Sequence, residues 1–495
     1  MKKITAALTA CIIALLLFPF NAFSETAKLK GDVNGDNVVD AVDAAEILSY
    51  YTVQQTSLTG IPYDVYLKHL EIYDLNGDQT IDANDASAVL EHYVRTQTMP
   101  DLNKMTSESL MKNITPLPLT GQYFAADEDF IRAQSNFAIE LFKSGGNSEE
   151  NLLISPLSVM LALSMTANGA DGKTLAEMET VLGGGMSMEN LNKYLYYYIN
   201  NLVNEERASI NIGNAIWYRD AESLDVNRDF LQKNLTYYNA EAYKAPFNES
   251  TKNDINNWID VKTDGMIKDA IDKIDPQAVM YLVNALLFEA DWANKYTDYQ
   301  VSKGQFTNSN GNKEEVEFMY SDEYRYVSDG NATGFIKPYI NGYSMLTLLP
   351  NGNVSIDDYI AGLTGEKFIG LVKNAKSALI KTAMPKFESE FSVEMSDILK
   401  KMGIVEAFDW EHANFRNMMT DALGNIFINR VIHKTAIKVD QKGTKAAAVT
   451  IVEVATCSIP PQPDYYITLD RPFVYAIIDN ATGLPIFIGT TLSVK

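Results

Sequence analysis

Cysteine is nearly absent from this chain: 495 residues hold two, Cys11 and Cys457. Cys11 lies in an apolar run over residues 4–20, preceded by Lys2 and Lys3 and followed by the small-residue site Ala22-Phe-Ser24. Residues 1–24 therefore read as a secretory signal peptide. Its removal leaves Cys457 as the mature chain's single thiol, which excludes an internal disulfide. No second apolar run of about twenty residues follows, so no membrane span is expected. Positive charge is also in deficit, with 41 Lys and Arg against 64 Asp and Glu and a net charge of −23. Nucleic acid or an anionic membrane would need a basic patch, so neither is expected as a partner. Histidine is scarce. His69, His92, His412 and His433 stand at no metal-ligand spacing, which removes a zinc hydrolase. No third group completes a nucleophilic pair of Cys457 with His433, and Asp171-Gly-Lys-Thr174 lacks the glycine-rich phosphate loop. No enzyme is expected.

What is present is oxygen at fixed spacing. Residues 32–43 place Asp32, Asn34, Asp36, the Val38 carbonyl, Asp40 and Asp43 at positions one, three, five, seven, nine and twelve. Residues 74–85 repeat the pattern with Asp74, Asn76, Asp78, the Thr80 carbonyl, Asp82 and Asp85. Ca²⁺ takes six to eight oxygen ligands, and this spacing wraps them around one ion per loop, two ions in all. Each loop runs into a similar short helix, with Ile47, Leu48 and Tyr51 matched by Val89, Leu90 and Tyr93. Residues 29–96 resemble the dockerin module, small and all-α. The resemblance implies a cohesin domain of a bacterial cellulosome scaffold as partner, and a secreted, extracellular, cellulosome-associated protein. Asn37 and Gln79 stand where the family usually has glycine, and Asn accepts left-handed geometry more readily. The segment between the repeats is longer than usual. Positions ten and eleven, which help set cohesin choice in the family, are Ala41-Val42 and Ala83-Asn84.

Residues 97–122 hold Pro100, Pro116, Pro118 and Gly121 among polar residues and read as a linker. Residues 123–495 alternate helix and strand. Apolar spacing predicts a helix over 130–142 and another over 159–168 with Pro156 near its start. Buried strands are expected at 279–287 and 343–349, with two β-rich runs about the turn Asn480-Ala-Thr-Gly483.

Residues 443–454 suit a strand. Thr444, Ala446, Ala448, Thr450, Val452 and Val454 share one face, small at first and apolar further on; Lys445, Ala447, Val449, Ile451 and Glu453 share the other. The alanines favour helix, but Thr450, Ile451 and Val452 weaken it. The hinge from Gly443 through Ala448, the exit Ser458-Ile-Pro-Pro461 and Asp470-Arg-Pro-Phe-Val-Tyr475 resemble the reactive-loop region of the serpins. Further matches are Asn151-Leu-Leu-Ile-Ser-Pro-Leu-Ser158, Asn214-Ala-Ile-Trp217, Leu282-Val-Asn-Ala285 with Trp292, Met384-Pro-Lys-Phe387 and Val431-Ile-His-Lys434. The resemblance implies a mixed α/β serpin fold: a large central sheet, two smaller sheets and surrounding helices. It also implies that the loop is protease bait, cut between Cys457 and Ser458, whose hinge (Gly443, Thr444, Lys445, Ala446, Ala447, Ala448, Val449, Thr450) then enters the central sheet and carries the acylated protease with it. Ser155, Ser158, Asn284 and His433 match the shutter, a polar cluster where the sheet parts, and Trp292 matches the breach, where the loop first enters. A modest residue such as Cys457 before the bond suits subtilisin-, elastase- or chymotrypsin-like serine proteases. The expected partner is thus a protease in covalent complex, with the serpin domain itself monomeric. Alternatives are papain-like cysteine proteases as targets, or a non-inhibitory serpin-fold binding protein.

Overall fold

The structure is a computed structural model that describes residues 29–56, 62–75, 80–119, 124–146, 150–205, 207–221, 224–275, 278–421, 426–444 and 462–495. The chain divides into two units, residues 1–97 and 98–495. Among the described residues no helix is long and apolar enough to cross a membrane.

The first unit is helical: α1 (Ala41–Thr56), α2 (Tyr63–Tyr73) and α3 (Ala83–Thr98). Its core repeats as the sequence does. Ile47 of α1 and Val89 of α3 are both fully buried, joined by Val39, Ala44, Ile81 and Ala86. The long segment between the repeats contains α2, whose His69 and Tyr73 rings stack at 4.8 Å while Tyr50 of α1 meets His69 edge-on at 4.9 Å.

In the second unit the helix Glu128–Gly145 starts where Asp127 accepts from the Phe130 N–H, and it buries Phe130, Phe137, Leu141 and Phe142 on one face. Helix Pro156–Ala167 opens with Ser155 as cap and proline in its first turn, and every residue but Ala162 is buried. A helix apolar all round belongs in the middle of a large core, and this one packs against both sheets.

Among the described residues the central sheet has seven strands: β1 (Glu108–Ser109), β2 (Ala208–Arg219), β3 (Glu241–Ala245), β4 (Met280–Asp291), β5 (Phe387–Glu394), β6 (Ile432–Val439) and β7 (Gly443–Thr444). Their order is β1-β3-β2-β4-β7-β6-β5. The other β-structure is not two smaller sheets: among the described residues nine strands form a single connected sheet through the long strand Lys313–Ser328, which pairs with Val301–Thr307, Ala332–Pro338 and Lys376–Pro385, while Leu224–Val226 and Met419–Asp421 make a small third ladder.

The linker reading of residues 97–122 is corrected for the described part, residues 98–119, which belongs to the large unit. Glu108 and Ser109 pair with Lys244 and Tyr243 at the edge of the central sheet. The buried Asp254 carboxylate accepts from the Thr106 hydroxyl (2.8 Å) and from the Ser107 amide (2.8 Å) and hydroxyl (2.7 Å). Proline and polar composition suggested a free connector, but strand pairing and side-chain acceptors satisfy this backbone locally. Asp254→Ala strands three donors and is expected to destabilise the large unit by about 2–3 kcal/mol. All four tryptophans, Trp217, Trp258, Trp292 and Trp410, lie in that unit. A lower urea midpoint in tryptophan fluorescence therefore checks the prediction; an unchanged midpoint refutes it.

Candidate functional site

β4 and β6 run parallel, and among the described residues no ladder joins them directly. Two residues bridge them. Gly443 and Thr444 pair with Asp291 and Ala290 of β4, and Thr444 pairs with Val439 of β6. A Cβ on Gly443 would lie 2.0 Å from the Ala290 carbonyl oxygen, so a side chain there would force β7 off β4. Thr444 is 1% exposed, and its hydroxyl lies 2.6 Å from that of Tyr339. The Tyr339 ring stacks on Trp292, with centroids 4.3 Å apart and planes 8° from parallel. Trp292 holds the preceding hinge residues, its indole N–H donating to the Asp440 carbonyl at 2.8 Å and its amide to the Lys442 carbonyl at 2.9 Å. The Tyr296 amide donates to the Gln441 carbonyl at 2.9 Å. Behind this wall Lys337 is buried against Glu323 at 2.7 Å, under the Tyr296 ring at 4.4 Å. Burial works against its charge, but Tyr296 and Glu323 more than offset that and raise its pKa above the ordinary lysine value.

Further along the seam lies a polar network centred on the start of helix Pro156–Ala167. The Ser155 amide donates to His433 Nε2 on β6 at 3.1 Å, and the Ser155 hydroxyl donates to the Ile486 carbonyl at 2.9 Å. The Ser158 amide returns to Ser155 Oγ at 3.2 Å. The Ser158 hydroxyl donates to Asn284 Oδ1 on β4, and Asn284 Nδ2 donates to Asn214 Oδ1 on β2 at 2.6 Å. The two edges of the seam are thus tied through the helix beneath rather than to each other. His433 accepts at Nε2, which requires neutral imidazole, and burial pushes its pKa down to about 4.

That depression has a consequence for stability. Native His433 resists a proton that the unfolded chain accepts near the ordinary value of 6.5. The contribution is complete above about pH 6.5 and lost as pH falls toward 4, on the order of 3 kcal/mol in total. His433→Gln is expected to flatten the fall in urea midpoint between pH 7 and pH 5. Parallel curves for parent and variant would remove this role.

Ser155, Ser158, Asn284 and His433 are therefore brought together, with Trp292 and Gly443-Thr444 at the other end of the seam. Hinge residues 445–450, Cys457 and Ser458 lie outside the described residues. Sequence reading missed Asn214, Tyr339 and Asp440. Asn214 sits in a quoted motif, and its pairing opposite Asn284 was the available signal; Tyr339 had none.

In the helical unit, Gly35 and Asn37 take positive φ of 77° and 67°, the second being where asparagine replaces the usual glycine. The Asp43 carboxylate is fully buried and accepts from the amides of Val33, Asn34 and Asp40; Asp32 accepts from those of Gly35, Asp36 and Asn37. In the second loop Asp85 is fully buried and accepts from the Asp82 amide at 2.9 Å, as Asp43 does from Asp40 at 2.8 Å. Asn76 and Asp78 lie outside the described residues. No three acidic side chains converge on one point among the described residues. The donor set nevertheless suits a hard dication: it is all oxygen, and no ion pair meets Asp32 or Asp43 among those residues. Negative charge also accumulates, since burial and then Asp43 and Asp36 raise the Glu46 pKa.

Residues 132–494 match the model of the serpin (serine protease inhibitor) family. The chain is a serpin. Residues 30–94 match the type I dockerin domain, a kind of domain that typically binds calcium. Similar relatives include human Serpin B8, 28% identical over 73% of this chain and 98% of its own. A serine protease inhibitor of Cyanea capillata is 30% identical over 72% of this chain and 96% of its own. Among solved structures, the thermophilic serpin tengpin in its native state is 47% identical, covers 78% of this chain and 99% of its own, and gives a TM-score of 0.75. Tengpin in its latent state is 48% identical, covers 74% and 99%, and gives 0.67. The mixed sheets and helices of residues 132–494 are the serpin fold, and its homologues are protease inhibitors rather than catalysts.

Proposed function

We propose that this serpin is a suicide-substrate inhibitor of subtilisin-, elastase- or chymotrypsin-like serine proteases, secreted and tethered to a cellulosome scaffold through its dockerin module. The observation that carries the reading is the seam between β4 and β6, bridged among the described residues by the first two hinge residues at one end. Continuing the β7 register sets Ala446 between Phe288 and Ile437, Ala448 between Leu286 and Thr435, and Thr450 between Asn284 and His433. Small side chains would thus meet the core, and a threonine hydroxyl would arrive at the polar network that ties the seam. On the opposite face Lys445 would lie across from Glu289 of β4, which suits lysine where the family often has glutamate.

The target's serine attacks the Cys457 carbonyl, the bond to Ser458 breaks, and the new amine of Ser458 leaves with a proton while the acyl bond holds the protease. Insertion then supplies ladder hydrogen bonds to the facing edges of β4 and β6 at once. In the dockerin module, Asp32, Asn34, Asp36, Val38, Asp40 and Asp43 would hold one Ca²⁺, and Asp74, Asn76, Asp78, Thr80, Asp82 and Asp85 another. The bound ions would neutralise the gathered carboxylates and fix the loops from which α1 and α3 start. Mixing the purified chain with subtilisin tests the inhibitory reading. A covalent adduct that survives a denaturing gel is expected; nicking without adduct refutes it.

A further inference from the structure

We propose that the Tyr339 hydroxyl is a positioning group for loop insertion, seating Thr444 in the sheet before any protease arrives. Thr444 is buried, so its hydroxyl needs an internal partner; Tyr339 supplies one at 2.6 Å, and either oxygen can donate. The ring has little freedom to move. It lies flat on Trp292, meets Phe288 edge-on at 5.3 Å, and its backbone bridges to Trp292. Burial raises the phenol pKa far above ordinary tyrosine, which keeps the hydroxyl protonated and able to serve as donor or acceptor.

The same tryptophan grips Asp440 and Lys442, so the wall acts on both sides of Gly443. Main-chain bonds to residues 440–442 set the height of the hinge. Among the described residues only the Tyr339 contact reads a hinge side chain, and it reads the first one that must be inside the sheet. Insertion then extends an existing two-residue strand, and the seated Thr444 keeps its place while residues 445 onward move in. A hinge without the latch would first have to find the slot while acyl-enzyme hydrolysis competes with it.

This inference rests on the inhibitory reading for its kinetic consequence but not for the latch itself. The test uses the full chain as parent, Tyr339→Phe, which keeps the stack on Trp292, Thr444→Val, which keeps the shape, and the double variant. In uncleaved protein, hydrogen exchange at the Thr444 amide is expected to quicken roughly threefold to tenfold in each single variant, the worth of one hydrogen bond. The double variant is expected to be no faster than the worse single. With subtilisin, the number of serpin molecules consumed per protease trapped is expected to rise in each variant while the rate of loop cleavage stays unchanged, a split that general loosening of the fold would not give. Unchanged Thr444 exchange in Tyr339→Phe, or additive effects in the double variant, overturns the proposal. If the parent forms no adduct, the inhibitory reading fails, and the exchange measurement still decides whether the latch exists.

Discussion

Thr444→Arg is expected to abolish the covalent protease adduct while leaving the loop fully cleavable. The slot that receives residue 444 lies between Ala290 and Val439, closed by the Tyr339 phenol, and leaves 1% of the threonine exposed. A guanidinium there would be desolvated with no acceptor but a phenol oxygen, at a cost of several kcal/mol. Four kcal/mol is about a thousandfold in rate, ample for hydrolysis of the acyl-enzyme to outrun insertion. The variant should run on a denaturing gel as a nicked chain with active protease beside it. Thr444→Ser, which keeps the hydroxyl and the small volume, should still trap. If the arginine variant traps as well as the parent, insertion does not pass through this slot and the mechanism is wrong.

Removing calcium from the full chain is expected to weaken cohesin binding by on the order of a thousandfold or more, with loss of helix confined to the first unit. Among its described residues that unit has six buried apolar side chains, too small a core to hold three helices against buried like charges. Asp43 and Asp85, both fully buried, crowd negative charge at the starts of α1 and α3. The chelated protein should lose far-ultraviolet helical signal but keep its tryptophan fluorescence, since every tryptophan is in the serpin unit. Single variants Asp43→Asn and Asp85→Asn should each weaken calcium binding at one loop. Cohesin binding that survives chelation would contradict the paired-loop reading.

Local pattern was legible where one side chain's neighbours lie close in sequence. The helix expected over 159–168 is Pro156–Ala167, the strand expected at 343–349 is Tyr343–Pro350, and the turn at Asn480 joins Phe473–Asp479 to Pro485–Thr491. Asn37 takes the left-handed conformation that its position demands. Tyr194-Leu-Tyr-Tyr-Tyr198, whose spacing suits a half-buried helix, lies in helix Met188–Asn201 with Leu195 and Tyr198 buried. What stayed hidden were partnerships made by the fold. Tyr339 reaches Thr444 across more than a hundred residues, and nothing about a tyrosine after Pro338 marks it as a latch. The attachment of residues 106–109 depends on Asp254 and the edge of β3, neither of which the proline-rich composition reveals.

A tethered protein is pulled, and the sheet order decides what the pull disturbs. The polypeptide leaving the dockerin module joins the central sheet at β1, with β3 and β2 lying between it and β4. Tension along the tether would load the Asp254 hydrogen bonds to Thr106 and Ser107, and then the β1–β3 pairing at the rim, before it reached the seam. An anchorage at that rim would act as a mechanical fuse, yielding to shear from a scaffold before the pairing of β7 with β4 and β6 is strained.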